Sequence, residues 1–313
     1  MNITKSIKPI TRVYKKLSNC GKILIFLVLF LILISIFKNT SPLPPSKLEG
    51  FQQNENYIFK EGASIYDNFY ATVYDSLVYN DIKNDFEITT LLKETGINNK
   101  SVILDVGCGT GHHVAKLTEQ NVDITGIDIS SSMLKLAKHK FPSSKFVIGD
   151  ALNRMMFIPN TYTHILCLYF TIYYFEDKRL FFNNCMDWLI PGGYLIVHLV
   201  NKDKFDPILP PGNPLYIVSP QKYAKKRITT TKITFNDFVY NSNFTIKDNI
   251  ATFDEKFKFK NGNTRRQEHT LYMDDDKLIT AMAQESGFIL HSVVDMVKCA
   301  YENQYLYIFL KPA

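Results

Sequence analysis

The chain has 313 residues, 46% of them hydrophobic and 21% charged, enough for one large α/β domain with an insertion and a tail. Its net charge of +6 is uneven: seven of the 36 basic side chains lie in residues 1–38, which hold no acid, so the remaining bases fall one short of the 30 acids. A globular part so balanced argues against a large nucleic-acid-binding face, and five cysteines without a CxxC pair argue against a disulfide framework.

Residues 1–22 form a basic arm. Ile23 to Phe37 is almost uninterruptedly apolar and bracketed by Lys22 and Lys38. As a helix it would measure roughly 22 Å, short of a bilayer core of about 30 Å, but flanking lysines can snorkel. A single-pass membrane anchor is the first expectation for 23–37, with a cleaved signal peptide as the rival, although no small-residue cleavage site follows. Basic residues ahead of the run predict an N-terminus on the cytoplasmic side. Residues 38–62, with three prolines in SPLPPSKLEG, read as a stiff linker.

The folded part is expected over 63–313. Tyr66, Tyr70 and Tyr74 recur at i, i+4, i+8 in a helix predicted over Ala63 to Leu77, and a second helix runs from Phe86 to Thr95, ended by Gly96. Val102, Ile103 and Leu104 form a short strand ending at Asp105. Gly107, Gly109 and Gly111 follow before a helix from about Val114. Such a turn admits a ligand close to the backbone, and the first helical N–H groups are free to meet it. The spacing is GxGxG, whereas the dinucleotide fingerprint is GxGxxG, and Asp105 suits a cationic ligand better than a diphosphate. A strand from Asp123 to Ile127 ends at Asp128, 23 residues after Asp105, the interval of a strand, turn, helix and return. A helix starts near Ser130. Strands over Lys145 to Ile148 and Thr163 to Tyr169, a helix over Glu176 to Leu189, and a proline-glycine turn entering the strand that ends at Val200 complete the alternation.

From Asn201 that alternation stops. Strands are expected at Thr229 to Phe235, Asp237 to Tyr240, Phe244 to Ile250, Thr252 to Lys260 and Thr264 to Met273, with a hairpin at Asn261 and Gly262. This makes 201–273 an antiparallel insertion placed to cap a cleft at the carboxyl edge of the sheet. Lys222, Lys225, Lys226 and Arg227 near its start read as a solvated face. A helix over Asp274 to Glu285 and strands at Gly287 to Asp295 and Tyr305 to Leu310 close the chain.

The string LDVGCGTG resembles motif I of the class I S-adenosylmethionine-dependent methyltransferases, and the PGG turn at 191–193 is similar to their motif III. The resemblance is strong over 101–200 and weaker elsewhere. It implies a Rossmann-like α/β fold: a seven-stranded methyltransferase sheet with helices on both faces and the cap inserted after strand five. It implies S-adenosyl-L-methionine as cofactor, held by Asp105, Gly107, Cys108, Gly109 and Gly111. Asp128 and Ile129 would meet the ribose, and Asp150 and Ala151 the adenine. Tyr66 and Tyr74 would close over the methionine end, with Tyr169 at the tip of strand four. Where the family often carries an acid at the start of strand four, Thr163 and His164 stand instead. Tyr169, Tyr173 and His198 are the candidates for catalysis, with His269 in the cap as a further base, and no metal is expected. The expected function is transfer of a methyl group to a small-molecule or lipid-like acceptor at a membrane. The competing expectations are a catalytically silent cofactor-binding scaffold and a methyltransferase acting on protein or RNA; the charge balance disfavours nucleic acid.

Overall fold

A computed structural model describes residues 18–39, 56–212 and 219–313. Most of the basic arm and the proline-rich part of the expected linker lie outside these residues. The first helix, α1 (Asn19–Asn39), has 21 residues, and its side chains are described over 21–31. Those from Ile23 to Leu31 are exposed. Among the described residues no helix is long and apolar enough to cross a membrane, so the spanning segment expected at 23–37 is not met by them.

The remaining elements are β1 (Tyr57–Glu61), α2 (Asn68–Val78), α3 (Asp81–Thr95), β2 (Val102–Val106), α4 (His112–Glu119), β3 (Asp123–Asp128), α5 (Ser131–Lys140), β4 (Lys145–Ile148) and β5 (Tyr162–Cys167). They continue with α6 (Lys178–Trp188), β6 (Leu189–Val200), β7 (Thr230–Thr234), β8 (Phe238–Lys247), β9 (Ile250–Phe259), β10 (Thr264–Tyr272), α7 (Asp276–Glu285), β11 (Ile289–Asp295) and β12 (Gln304–Leu310). Local chemistry sets the boundaries. The Asn80 side chain accepts from the Lys83 N–H at 3.1 Å to start α3, and Gly96 ends it in the left-handed region at φ 67°. Ser130 caps α5 by accepting from the Met133 N–H at 3.1 Å.

Seven strands form one sheet in the order β11-β12-β6-β5-β2-β3-β4, parallel from β6 to β4, with β12 antiparallel to both β6 and β11. Helices cover both faces, so the central strands read as continuous apolar runs; Ile103, Leu104, Ile165, Leu166 and Ile196 are all inaccessible. Chain direction across the sheet reverses between β2 and β5. In open α/β sheets the crevice outside the strand ends at that point collects ligands.

A second sheet has the order β1-β10-β9-β8-β7. Four of its strands are the expected antiparallel insertion. The fifth, β1, falls in residues assigned to the linker and pairs parallel with β10, Tyr57 opposite Thr264 through Glu61 opposite Glu268. It adds an edge strand to the cap from the opposite end of the domain. The two strands expected at 237–240 and 244–250 are one, β8, because Asn241 and Asn243 continue the alternation, with Tyr240, Ser242 and Phe244 buried on the other face. Its turn comes later, at Asp248 and Asn249, both at positive φ (50° and 64°), as a tight two-residue hairpin requires. Arg227 is not part of a solvated face: its guanidinium donates to the carbonyls of Lys202 (2.8 Å) and Phe205 (2.7 Å) and lies over the Phe205 ring. Lys225 and Lys226 are exposed.

Candidate functional site

Beyond the carboxyl ends of β2, β3, β4 and β5, and beneath the cap, lies a cavity of about 520 Å³. The glycine loop forms its floor. Gly107, Gly109 and Gly111 all have positive φ, at 68°, 55° and 85°. At Gly107 a Cβ would also stand 2.6 Å from Thr171 Cγ2, so this position excludes a side chain on two grounds. The Gly109 N–H donates to Asp128 Oδ2 at 3.0 Å, and the Ser130 N–H to Asp128 Oδ1 at 2.8 Å. One carboxylate thus ties the loop after β2 to the start of α5. Burial raises the Asp128 carboxyl, and these N–H donors oppose that rise.

Asp105, Gly107, Cys108, Gly109, Asp128, Ile129, Asp150 and Ala151 all line this one cavity. Gly111 does not; it is buried behind the loop, where a Cβ would meet the Phe146 ring at 2.6 Å. Cys108 stands behind the turn, its Sγ 2.7 Å from where a Cβ on Gly126 would lie, and burial pushes its thiol up, the opposite of what a nucleophile needs. Asp150 is exposed at the rim, and its carboxylate accepts from the Leu152 N–H at 2.9 Å. Asp105 is 2% exposed, and burial lifts its carboxyl to about 7, with the Glu87 and Asp128 charges adding to the rise and His113 opposing it.

The three tyrosines of the stripe meet edge to face, Tyr66 to Tyr70 at 5.6 Å and Tyr70 to Tyr74 at 5.7 Å, and all line the cavity. Tyr66 sits in the turn ahead of α2, because the helix begins only at Asn68. The guanidinium of Arg265 fixes that turn, donating to both Asp67 oxygens (3.0 and 2.8 Å) and to the Ile65 carbonyl (2.9 Å).

The catalytic candidates separate. Tyr169 lines the cavity, at φ 54°. Tyr173 does not; it is fully buried, and its hydroxyl accepts from the Val200 N–H at 2.8 Å. His198 is likewise fully buried outside the cavity wall, with Nδ1 2.6 Å from the Tyr169 carbonyl oxygen. Burial and the Lys83 charge hold that imidazole down at about 4, so it is neutral and carries its proton on Nδ1, toward the carbonyl. Neither side chain lines the cavity: Tyr173 holds the end of β6 through Val200, and His198 holds the backbone of Tyr169 beyond the tip of β5. Thr163 Oγ1 bridges the backbone of Val102, accepting from its N–H and donating to its carbonyl, each at 3.0 Å; a hydroxyl there stitches β5 to β2.

Two charged groups along the wall carried no sequence signal. Glu87, inaccessible to solvent, pairs with Lys83 Nζ at 2.5 Å and His113 Nε2 at 2.9 Å. Burial alone would raise it, but Lys83 and His113 hold it down at about 2. Asp75 accepts from Thr110 Oγ1 at 2.5 Å and pairs with His112 Nε2 at 2.8 Å and with Lys140. Lys83 and Glu87 share α3 at i, i+4, a spacing common on any helix; the other partners of both acids come from other elements.

Residues 103–193 match the family model described as a methyltransferase domain. Among characterised relatives, the dTDP-4-amino-2,3,4,6-tetradeoxy-D-glucose N,N-dimethyltransferase of Saccharopolyspora spinosa is 28% identical over 147 residues, covering 44% of this chain and 57% of the relative. Glycine N-methyltransferase of Rattus norvegicus is 30% identical over 170 residues, covering 47% and 55%. The chain thus spans little more than half the length of these relatives. Among solved structures, the CcbJ methyltransferase of Streptomyces caelestis superposes with a TM-score of 0.62 at 14% identity, covering 80% of this chain and 100% of that one. An S-adenosylmethionine-dependent methyltransferase of Clostridium acetobutylicum gives 0.58 at 18% identity, with 79% and 99% covered. The fold is that of a Rossmann-like methyltransferase, and the matched segment holds the glycine loop with Asp105, Asp128 and Asp150.

Proposed function

We propose that this chain, whose residues 103–193 form a methyltransferase domain, is an S-adenosylmethionine-dependent methyltransferase acting on a small-molecule acceptor. The observation that carries this reading is the convergence of Asp105, Asp128 and Asp150 with a side-chain-free turn on one cavity. The residues present suit S-adenosyl-L-methionine. The cradle at Gly107 has no room for a Cβ, the acids suit a cation and ribose hydroxyls, and the volume is sufficient for a nucleoside. Asp128 would hold the ribose, Asp150 the adenine edge, and Asp105 with the tyrosine wall the cationic end. When bound, the cofactor supplies a methyl group already activated by positive sulfur.

The chain's own contribution is placement and exclusion of water, which in favourable cases supplies about 7–11 kcal/mol of the barrier. Tyr66 and Tyr74 wall the cavity from the α2 segment, Tyr169 from the end of β5, and Phe244, Phe253 and Leu271 from the cap. Calorimetry with S-adenosylmethionine tests the reading. Asp128→Ala removes the carboxylate that meets Gly109 and would meet the ribose; it should weaken binding by roughly 10²–10⁴-fold, the equivalent of one or two charge-assisted hydrogen bonds. Binding that survives the change intact, or no binding by the unaltered chain, refutes it.

The acceptor is polar and small. Relatives acting on an amino sugar and on glycine, by their names, support that class, as does a near-neutral domain. We propose further that α1 attaches the enzyme to a lipid surface. Ile23, Leu24, Phe26, Leu29 and Phe30 are each more than half exposed beside Lys22, an apolar display that water disfavours. Flotation of the full chain with phosphatidylcholine vesicles checks this, and a chain left entirely at the bottom of the gradient refutes it.

A further inference from the structure

The cap carries a buried polar network that cofactor binding does not require. Glu255 on β9 is inaccessible and accepts from three donors: the Tyr240 hydroxyl at 2.5 Å, Gln267 Nε2 at 2.5 Å and His269 Nε2 at 2.7 Å. The other nitrogen of His269, Nδ1, lies 2.8 Å from the hydroxyl of Tyr174. His269 and Tyr174 both line the cavity, and Tyr174 is 37% exposed within it. The tautomer follows from satisfying donors and acceptors. A carboxylate can only accept, so the imidazole proton sits on Nε2, Nδ1 is the bare acceptor, and the Tyr174 hydroxyl donates to it. Burial alone would raise Glu255, but His269, Tyr240 and Gln267 hold it down, so the carboxylate is charged.

Burying a carboxylate without purpose is expensive, and replacing such a group by apolar side chains is often neutral or stabilising. Here the ion lies behind an imidazole whose far side leads to one phenol at the cavity surface. We propose that Glu255, His269 and Tyr174 form a proton relay that removes the proton of the acceptor, and that the acceptor is therefore a hydroxyl compound methylated on oxygen. This rests on the methyltransferase reading above and deepens it. As the acceptor oxygen forms its bond to the methyl carbon and the carbon–sulfur bond breaks, the acceptor proton passes to Tyr174 Oη. The Tyr174 proton passes to His269 Nδ1, and the imidazolium is held by Glu255. Atoms and charge balance: a neutral acceptor and a cationic donor give a neutral ether, a neutral thioether and one protonated histidine, which loses its proton to solvent when the products leave. An ammonium can shed its proton to solvent before it attacks, whereas a hydroxyl must give up its proton as the new bond forms. Tyr174 is the catalytic residue here, since of the three it is the one exposed to the cavity; His269 and Glu255, both buried, act through it.

Around the relay stand Tyr66, whose ring is 5.9 Å from His269 and 6.2 Å from Tyr174, and Tyr70, at 5.8 Å from His269. Phe253 lies at 5.6 Å, and Arg265, two strand positions from Gln267, is spent on Gln267 and Asp67. Glu255 is thus the one anion in direct contact with the imidazole among the described residues.

The test uses the full chain, S-adenosylmethionine with a labelled methyl group, and three probes: catechol, methyl β-D-glucoside and glucosamine. The expected result is transfer to a hydroxyl probe, with Tyr174→Phe and His269→Gln lowering kcat about 10²–10⁴-fold while KM and cofactor affinity change less than threefold. Glu255→Gln should lower kcat less than either. Transfer only to the nitrogen of glucosamine, or Tyr174→Phe within threefold of the unaltered kcat, overturns the relay. If no probe is methylated, the ¹⁵N spectrum of His269 decides: a proton on Nε2 with Nδ1 bare supports the relay, and a proton on Nδ1 overturns it. Absence of cofactor binding would instead sink the methyltransferase reading, so the two failures are distinct.

Discussion

Gly107→Ala tests whether the glycine loop is shaped for close approach. The position has φ 68°, and in the left-handed region an alanine costs about 1–2 kcal/mol relative to glycine. Its methyl would also stand 2.6 Å from Thr171 Cγ2, 2.7 Å from Thr171 Oγ1 and 3.2 Å from Thr171 Cβ, an overlap that costs about 1–3 kcal/mol when the surroundings must move. The sum is roughly 2–5 kcal/mol, or a drop of about 1–2 M in the urea midpoint at a slope near 3 kcal/mol per M. Both short contacts are to the branch atoms of one side chain, so the two contributions can be separated. In a Thr171→Ala background only the contact at 3.2 Å remains, and Gly107→Ala should then cost only the backbone part. A double-mutant cycle should give a coupling of about 1–3 kcal/mol. Cofactor affinity should recover in the double variant more than in Gly107→Ala alone, because the turn returns to its place. A cost below 0.5 kcal/mol, or the same cost in both backgrounds, refutes the steric argument.

Three further outcomes follow from the charges. With Asp105 at about 7, binding of a cationic cofactor should strengthen by about tenfold between pH 5.5 and 7 as the carboxyl ionises, and Asp105→Asn should flatten that dependence in calorimetry. Its effect on folding has the opposite sign. The folded carboxyl binds its proton more tightly than the unfolded one, so this group's contribution to stability declines as pH rises from about 4 to about 7. Glu87, held at about 2 against an ordinary 4.5, contributes roughly 3 kcal/mol above pH 4.5 that is lost as pH falls toward 2. Acid unfolding followed by circular dichroism should be less steep between those values in Glu87→Gln. Arg265→Ala removes the fork on Asp67 and the cation over the Phe69 ring at 4.9 Å, and should lower stability by about 2–4 kcal/mol in urea; it should weaken cofactor binding as well, because the Tyr66 turn loses its tie to β10.

The sequence carried the sheet further than the site. LDVGCGTG predicts strand, turn and helix because glycine at positive φ and an apolar run ending in an acid are short-range properties, and the observed strand ends at Val106, with the acids at the ends of β2 and β3 and beyond β4 on one cavity. The residues that line this end of the cavity were therefore legible. Which of the candidates for catalysis face it was not: Tyr173 follows a strand and His198 lies near the end of one, but packing turns both into the core. No local pattern reports which face of a strand a lone histidine occupies when both faces are buried.

By itself the sequence determined the alternation of strands and helices, the position of the glycine loop, the insertion after strand five of the main sheet and the non-basic character of the domain. Those follow from side-chain periodicity, turn chemistry and composition, which act within a few residues. Only the tertiary structure decided that Tyr57–Glu61 joins the cap, that Arg265 holds Asp67 from 198 residues away, and that His269 stands between Glu255 and Tyr174, 95 residues from the latter. Partners so distant in the chain are chosen by which faces the whole fold brings together.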